Sequence, residues 1–153
     1  MRIGDLVPDF TLPDQDGANV SLQALLANGP VALFFYPAAM TTGCTRESCH
    51  FRDLGGEFKA LGAQHVGISL DGTERQHEFA TRHLLDYPLL ADVQGEVATS
   101  FGVKRSFQLL KVRRATFVID TDRRVLATIH SELNMNAHAD KALAALRLRG
   151  SAH

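Results

Sequence analysis

The amino-acid sequence predicts an α/β fold, in which helices cover both faces of a mixed central sheet. The first observation is the continuous apolar run from Val31 to Tyr36, which is typical of a central strand buried on both faces. The second is the alternation of strand-like and helix-like segments along most of the chain. The third is a pair of strand-like segments around a Thr121-Asp122 turn, which are close enough in sequence to pair antiparallel.

The predicted elements are separated by residues that favour turns or caps. Asp16-Gly17 favours a hairpin, Ser21 can cap a short helix, and Pro37 ends the central strand. Gly55-Gly56 predicts a break in a helix, because each glycine costs about 1 kcal/mol there. The predicted elements are a hairpin of Asp9–Pro13 and Asn19–Ser21, a helix to Leu26, the strand Val31–Tyr36, a helix from Thr41 or Thr42 to Leu61, the strand His65–Leu70, a helix Thr73–Leu84 capped by Thr73, the strand Tyr87–Asp92, a helical turn Glu96–Phe101, the strands Ala115–Asp120 and Val125–His130, and a helix Asn136–Leu148 with an apolar stripe of Ala137, Leu143, Ala144 and Leu146.

Composition and charge narrow the function classes. With 153 residues, 45% hydrophobic and 22% charged, the chain is predicted to form one soluble globular domain over residues 1–153. A formal net charge of −1 gives no electrostatic case for nucleic acid or membrane binding by the whole chain. The basic stretch from Lys104 to Arg124 could bind a polyanion, but such a mixed stretch is more typical of a solvated surface.

The sequence also predicts the compartment. No stretch approaches 18 apolar residues, and the residues after Met1 lack the basic start and apolar run of a secretory signal. We therefore expect a cytoplasmic, reducing environment. Two cysteines are too few for a disulfide-stapled scaffold, so Cys44 and Cys49 are either buried apolar residues or participants in chemistry.

The turn after the central strand favours the chemical interpretation of Cys44. Cys44 falls in the first turn of the next predicted helix, where unpaired N–H groups and the helix dipole stabilise a thiolate. Thr41 can donate to a substrate oxygen or accept from a backbone N–H, and Gly43 allows close approach of the backbone. The alternative is that both cysteines are small buried hydrophobes. A turn rich in Thr and Gly is a poor place to bury apolar surface, which argues against that alternative for Cys44.

These residues resemble a known family. Pro37-x-x-x-Thr41-x-x-Cys44 is similar to the active-site pattern of the peroxiredoxins, and Cys49 resembles the second cysteine of their Q type, the bacterioferritin comigratory protein subfamily. Two positions depart from the usual pattern: Ala38-Ala39 replaces more polar residues, and the segment from Lys104 to Val112 is unusually basic and short. The resemblance extends along most of the chain, through Gly4-Asp5-x-x-Pro8-Asp9-Phe10-x-Leu12, Phe35-Tyr36-Pro37, Gly67-Ile68-Ser69 and Arg114-Ala115-Thr116-Phe117-Val118-Ile119-Asp120.

The resemblance implies a fold, a reaction and roles for particular residues. It implies a thioredoxin-like sheet with an N-terminal hairpin extension, and reduction of hydrogen peroxide or organic hydroperoxides. Cys44 would be the peroxidatic cysteine and Cys49 the resolving one, through an intrachain disulfide. Arg114, rather than the adjacent Arg113, would lie beside the thiolate, with Glu47 holding it in place.

The resemblance also bears on partners and cofactors. Thioredoxin or a similar thiol reductant would recycle the enzyme, and the chain would act as a monomer or a weak homodimer. No metal or organic cofactor would be required, because sulfur itself takes up the peroxide oxygen as sulfenic acid.

Two other function classes compete with this interpretation. A thioredoxin-like redox sensor or dithiol oxidoreductase without peroxidase activity is the first alternative, but the chain lacks the Cys-x-x-Cys spacing of thiol–disulfide exchangers. Zinc binding by Cys44, Cys49, His77 and His83 is the second. The 27 residues between the two pairs exceed the usual spacing of about 12–15, so zinc binding is not expected.

Overall fold

The structure is a computed structural model, and it describes residues 1–105 and 112–152. Five strands form the central sheet in the order β5-β4-β3-β6-β7, and two short strands form a separate N-terminal hairpin. The elements in chain order are β1 (Thr11–Pro13), β2 (Asn19–Ser21), α1 (Leu22–Leu26), β3 (Val31–Phe35), α2 (Thr42–Asp53), α3 (Gly55–Ala60), β4 (Gln64–Ser69), α4 (Thr73–His83), β5 (Leu89–Ala91), α5 (Glu96–Ser100), β6 (Ala115–Ile119), β7 (Val125–His130) and α6 (Met135–Ala152).

The central strand β3 separates two hydrophobic cores. Every residue of β3 is buried, and successive side chains of a strand point to opposite faces. Ala32 and Phe34 pack with residues of α2, α3, α4 and α6, including Phe51, whereas Leu33 and Phe35 pack with residues of α1 and α5. The sheet is therefore covered on both faces, as the sequence predicted.

The sheet is mixed because β3 has one parallel and one antiparallel neighbour. It pairs in parallel with β4 and antiparallel with β6, and Phe35 lies opposite Ala115 in the second pairing. The strands β6 and β7 form the predicted antiparallel hairpin. The start of β6 therefore lies beside the end of β3, where the loop towards Cys44 begins.

The predicted N-terminal hairpin and the helix break are confirmed. The strands β1 and β2 pair antiparallel, and the Ser21 hydroxyl accepts a hydrogen bond from the Ala24 N–H at 3.1 Å, as a helix cap does. The long predicted helix is divided at Leu54 into α2 and α3, immediately before the glycine pair.

Two local predictions are wrong. Thr73 does not cap α4, because the extended residue before the helix is Gly72 and Thr73 is already helical. Ala144 is exposed, because α6 buries Ala139, Ala142, Leu143 and Leu146, and Ala144 lies outside that spacing on the solvent side. The helix α6 also begins one residue earlier than predicted and extends to Ala152.

The basic stretch predicted from Lys104 to Arg124 falls partly outside the described residues, which exclude 106–111. Within the described ranges, no helix combines the length and the apolar character needed to cross a membrane.

Candidate active site

Cys44 lies in the first turn of α2, one short loop after the end of β3. Its side chain is fully buried, and its thiol is free. The first intrahelical bond joins the Thr45 N–H to the Thr41 carbonyl at 2.9 Å. The N–H groups before Thr45 therefore lie in the part of the helix that has no intrahelical acceptor, which favours negative charge there.

The Arg114 guanidinium contacts Cys44 directly. Its Nη2 atom lies 3.3 Å from the Cys44 Sγ, and its Nη1 atom donates to the Glu47 Oε1 at 2.9 Å. Arg114 is 7% exposed because it immediately precedes β6, which pairs with β3 next to the site. Arg113 is exposed, so of the two adjacent arginines only Arg114 reaches Cys44.

Glu47 lies one helical turn after Cys44 and is completely buried. Burial raises the pKa of Glu47 to about 8, although the charge of Arg114 and its hydrogen bond act in the opposite direction. Burial also lowers the pKa of Arg114, but Glu47 and Cys44 more than offset this, and the pKa of Arg114 is raised overall. The buried Arg114 guanidinium is thus the cation in contact with both acidic groups, the Cys44 thiol and the Glu47 carboxyl.

His138 of α6 completes this cluster, and the sequence did not predict it as a site residue. It is fully buried, with its Nε2 atom 2.8 Å from the Ser131 carbonyl and 3.5 Å from the Glu47 Oε2. A carbonyl only accepts hydrogen bonds, so Nε2 carries the hydrogen and Nδ1 accepts from the Thr116 hydroxyl at 2.8 Å. Burial lowers the pKa of His138, which favours this neutral form. A histidine on the apolar face of the last helix was the signal that could have identified it.

The Thr41 hydroxyl contacts the backbone as a donor, whereas one of the two roles that the sequence allowed was to accept from a backbone N–H. Thr41 precedes α2 in the cap position but, within the described part of the chain, its side chain accepts no capping hydrogen bond. Thr41 is exposed, and its hydroxyl donates to the Ala38 carbonyl at 2.9 Å. The hydroxyl must therefore rotate before it can donate to a substrate oxygen.

The loop between β3 and α2 is hydrogen-bonded to Asp71, which follows the neighbouring strand β4. The buried Ala39 N–H donates to the Asp71 Oδ2 at 2.7 Å, and the Ser69 hydroxyl donates to the same oxygen at 2.7 Å. The next residue, Met40, has a φ of 66°, which is the left-handed region that non-glycine residues rarely adopt. Pro37, at the start of this loop, is half-buried. Sequence reasoning missed Asp71, because its link to the loop depends on β3 and β4 being neighbours.

Cys49 lies on α2 with Cys44 and is also a free thiol. It is half-buried and packs against the core cluster that contains Phe51. The preceding residue, Ser48, is fully buried, and its carbonyl accepts a hydrogen bond from the Tyr87 hydroxyl at 2.6 Å.

The histidines weighed for zinc binding lie on α4, not on α2. The His77 Nδ1 lies 3.5 Å from the Asp16 Oδ1, and the His83 ring contacts the ring of Phe79. No group of three His, Cys, Asp or Glu side chains that could hold a metal ion occurs within residues 1–105 and 112–152.

Known proteins resemble this chain in sequence and in structure. A model of the AhpC/TSA family matches residues 3–128. Peroxiredoxin Bcp of Escherichia coli is 36% identical over 148 residues, which are 94% of this chain and 94% of that protein. The crystal structure of peroxidoxin BcpB from Mycobacterium tuberculosis superposes with a TM-score of 0.93, at 59% identity and 97% coverage of each chain. A structure of the Xanthomonas campestris bacterioferritin comigratory protein superposes with a TM-score of 0.84, at 28% identity, and covers 92% of this chain and 91% of that one.

The family match and the similar structures are therefore consistent with a reactive cysteine at the start of α2, where Cys44 and Arg114 form a buried pair. The fold expectation from the sequence, a thioredoxin-like mixed sheet with an N-terminal hairpin, is confirmed by these superpositions. The chain belongs to the AhpC/TSA family and is a peroxiredoxin of the Bcp and Q type.

Proposed function

We propose that this peroxiredoxin reduces hydrogen peroxide and organic hydroperoxides with the Cys44 thiolate as the nucleophile. The observation that carries the proposal is the contact of 3.3 Å between the Arg114 Nη2 and the Cys44 Sγ at the start of a helix. A buried guanidinium and the first helical turn both favour the thiolate, which is the reactive form of cysteine.

In the first step, the thiolate attacks one peroxide oxygen and the O–O bond breaks. Negative charge grows on the departing oxygen, and fixed donors stabilise such charge without reorganising. Arg114 and the N–H groups of the first turn supply donors from the protein, and the Thr41 hydroxyl supplies another after rotating away from Ala38. Cys44 becomes a sulfenic acid.

In the second step, the Cys49 sulfur attacks the sulfenic acid sulfur of the same chain, the S–O bond breaks, water leaves, and the Cys44–Cys49 disulfide forms. Five residues along a regular helix separate two α-carbons by about 8.7 Å. A disulfide needs them within about 7 Å, so α2 must open around Cys44 before the bond can form. Because both cysteines lie on one helix, the disulfide can form within a single chain, without a second subunit.

Thioredoxin, or a similar thiol reductant, then reduces the disulfide. The name of the Xanthomonas campestris structure refers to alkyl peroxide reduction by that protein, which supports organic hydroperoxides as substrates here. We infer that the chain works in the reducing cytoplasm, where free cysteines stay reduced. We expect a monomer or a weak homodimer by analytical ultracentrifugation.

The decisive test is peroxide turnover coupled to thioredoxin and thioredoxin reductase. Wild type should consume peroxide continuously, Cys44→Ser should consume none, and Cys49→Ser should consume one equivalent and then stop. Turnover by Cys44→Ser would contradict the assignment of the nucleophile, and undiminished turnover by Cys49→Ser would contradict the resolving role.

The alternative is a thioredoxin-like redox sensor or dithiol oxidoreductase without peroxidase activity. It predicts that wild type and Cys44→Ser consume peroxide equally slowly, while the two thiols still exchange with a disulfide substrate. The same assay therefore separates the two functions.

A further inference from the structure

The buried cluster at Cys44 contains more acidic groups than cations. Cys44 and Glu47 are both fully buried, and Arg114 touches the two of them through Nη2 and Nη1, at 3.3 and 2.9 Å. If both acids were ionised, the cluster would carry an excess negative charge out of contact with water. Burial of an uncompensated charge is costly, and such a site lowers its cost by keeping a proton.

The surroundings of Glu47 show which acid keeps the proton. Cys44 lies one turn before it on α2, Arg114 faces it from the start of β6, and His138 faces it from α6. Its remaining titratable neighbours are Glu132, from the segment before α6, and the buried, neutral Tyr87, from the segment before β5.

The carboxylate of Glu47 is also incompletely paired. Among the residues that the structure describes, its Oε2 has no hydrogen-bond partner, and the His138 N–H nearest to it is already donated to the Ser131 carbonyl. An ionised carboxylate with one unpaired buried oxygen is unfavourable. Burial accordingly raises the pKa of this carboxyl to about 8.

We propose that, near neutral pH, Glu47 holds a proton while Cys44 is a thiolate and gives that proton up when Cys44 is oxidised, so that Arg114 faces a single negative charge before and after the reaction. Glu47 is thus a positioning residue that acts on Cys44 through Arg114. The proposal rests on the peroxidase function above and adds a source for the proton that the first step needs.

The step balances as follows: Cys44–S⁻, Glu47–COOH and R–O–O–H give Cys44–S–OH, Glu47–COO⁻ and R–OH. The sulfur loses two electrons and the peroxide gains them as its O–O bond breaks. The departing oxygen takes its proton from water, and the proton leaving Glu47 replaces it, so the net uptake from solution is zero. After oxidation, the Glu47 carboxylate is the one anion in contact with Arg114, and the buried Arg114 cation offsets the cost of its unpaired Oε2.

The test measures how many protons are taken up from solution while Cys44 is oxidised once. Reduced Cys49→Ser protein, which stops at the sulfenic acid, is mixed with one equivalent of hydrogen peroxide in weakly buffered solution that contains a pH-indicator dye. The loss of ultraviolet thiolate absorbance gives the amount of Cys44 thiolate oxidised, and the dye gives the protons consumed.

At pH 7 we expect an uptake of about 0.1 proton per thiolate, because a carboxyl with a pKa of about 8 is mostly protonated. At pH 9 the uptake should rise to about 0.9, because Glu47 is then already ionised. Glu47→Gln in the same background has no proton to give and should take up about one proton at both pH values. Glu57→Gln, a substitution of an exposed glutamate on α3, should behave like its parent.

Uptake of one proton per thiolate by the parent at pH 7 would overturn the proposal, and so would equal uptake by the parent and a folded Glu47→Gln. The pH series on the parent decides the matter even if Glu47→Gln does not fold. Peroxide that leaves the thiolate absorbance unchanged would instead overturn the peroxidase function, on which the proposal rests.

Discussion

The Tyr87 hydroxyl donates a hydrogen bond of 2.6 Å to the carbonyl of Ser48, the residue immediately before Cys49. The Tyr87 ring packs against His65, with centroids 4.3 Å apart, and Phe51 stacks on Phe34 at 4.1 Å. The second half of α2 is thus attached to the core on both sides of Cys49. We expect the opening of α2 in the proposed cycle to extend past Ser48 and to break the Tyr87–Ser48 bond, whereas the stacked Phe51 can remain in place.

Tyr87→Phe should therefore accelerate disulfide formation. The change removes the hydroxyl but keeps the ring packing, and a hydrogen bond contributes about 1 kcal/mol to stability. If the open state gains that amount, the rate should rise about 5-fold. Rapid acid quenching of peroxide-treated protein, followed by alkylation and mass spectrometry, measures the rate without a tryptophan signal.

Tyr36→Phe is the matched control for this substitution. It removes an equally buried hydroxyl, which bonds to Gln76 rather than to α2. The step from sulfenic acid to disulfide should keep its rate in this variant. An equal acceleration in both variants, or none in Tyr87→Phe, would show that the Ser48 bond does not restrain the helix.

Arg114→Lys should slow the reaction with peroxide strongly. Lysine keeps the charge but loses the planar fork that reaches Cys44 and Glu47 together. By analogy with the loss of one oxyanion donor, the second-order rate constant should fall by about 10²–10³. Competition for peroxide against a reference peroxidase measures this constant.

Arg113→Lys is the control, because Arg113 is exposed and adjacent in sequence. Its rate constant should match that of the wild type. Equal losses in the two variants would show that Arg114 has no special place in the reaction.

Asp71→Ala should disturb the loop that precedes Cys44. The substitution leaves the buried Ala39 N–H without its acceptor at 2.7 Å, and an unpaired buried donor costs about 1–3 kcal/mol. We expect the loop to relax and the peroxide rate constant to fall about 10-fold. Asp71→Asn keeps a carbonyl oxygen that can accept the bond, so it should lose less. A rate loss in Asp71→Asn as large as in Asp71→Ala would argue against this positioning role.

His65 should make the protein less stable in acid. Burial lowers the pKa of His65 from 6.5 to about 4, so the unfolded chain binds a proton in this range more readily than the folded protein does. The stabilisation is fully present above pH 6.5 and is lost as the pH falls towards 4. The loss is about 3 kcal/mol of unfolding free energy at most.

Urea unfolding at pH 7 and pH 4.5 measures this loss. His65→Phe keeps a ring among Phe51, Phe58 and Tyr87 and should lose less stability between the two pH values than the wild type does. His77→Gln, at an exposed histidine, should follow the wild type. A pH dependence in His65→Phe as steep as that of the wild type would assign the acid sensitivity to other groups.

Short-range sequence patterns were sufficient to predict the strand, the turn and the helix start that position Cys44. The apolar run of β3, the Thr-rich turn and the cysteine at the helix start are all readable within about fifteen residues of sequence. The same holds for the N-terminal hairpin and for the break before Gly55. The local predictions that proved wrong, Thr73 as a cap and Ala144 as a core residue, depended on where one helix begins and which face it presents.

The contacts within the buried cluster, and the place of His138 in it, depend on tertiary structure. Arg114 reaches Cys44 across 70 residues of sequence because Ala115 of β6 lies opposite Phe35 of β3. His138 faces Glu47 because α6 packs against α2 on the same side of the sheet. The burial of Glu47 and the nearby charge of Arg114 determine the protonation of Glu47. Both arise only when distant segments pack together, because no residue near Glu47 in sequence removes it from water or supplies its cation.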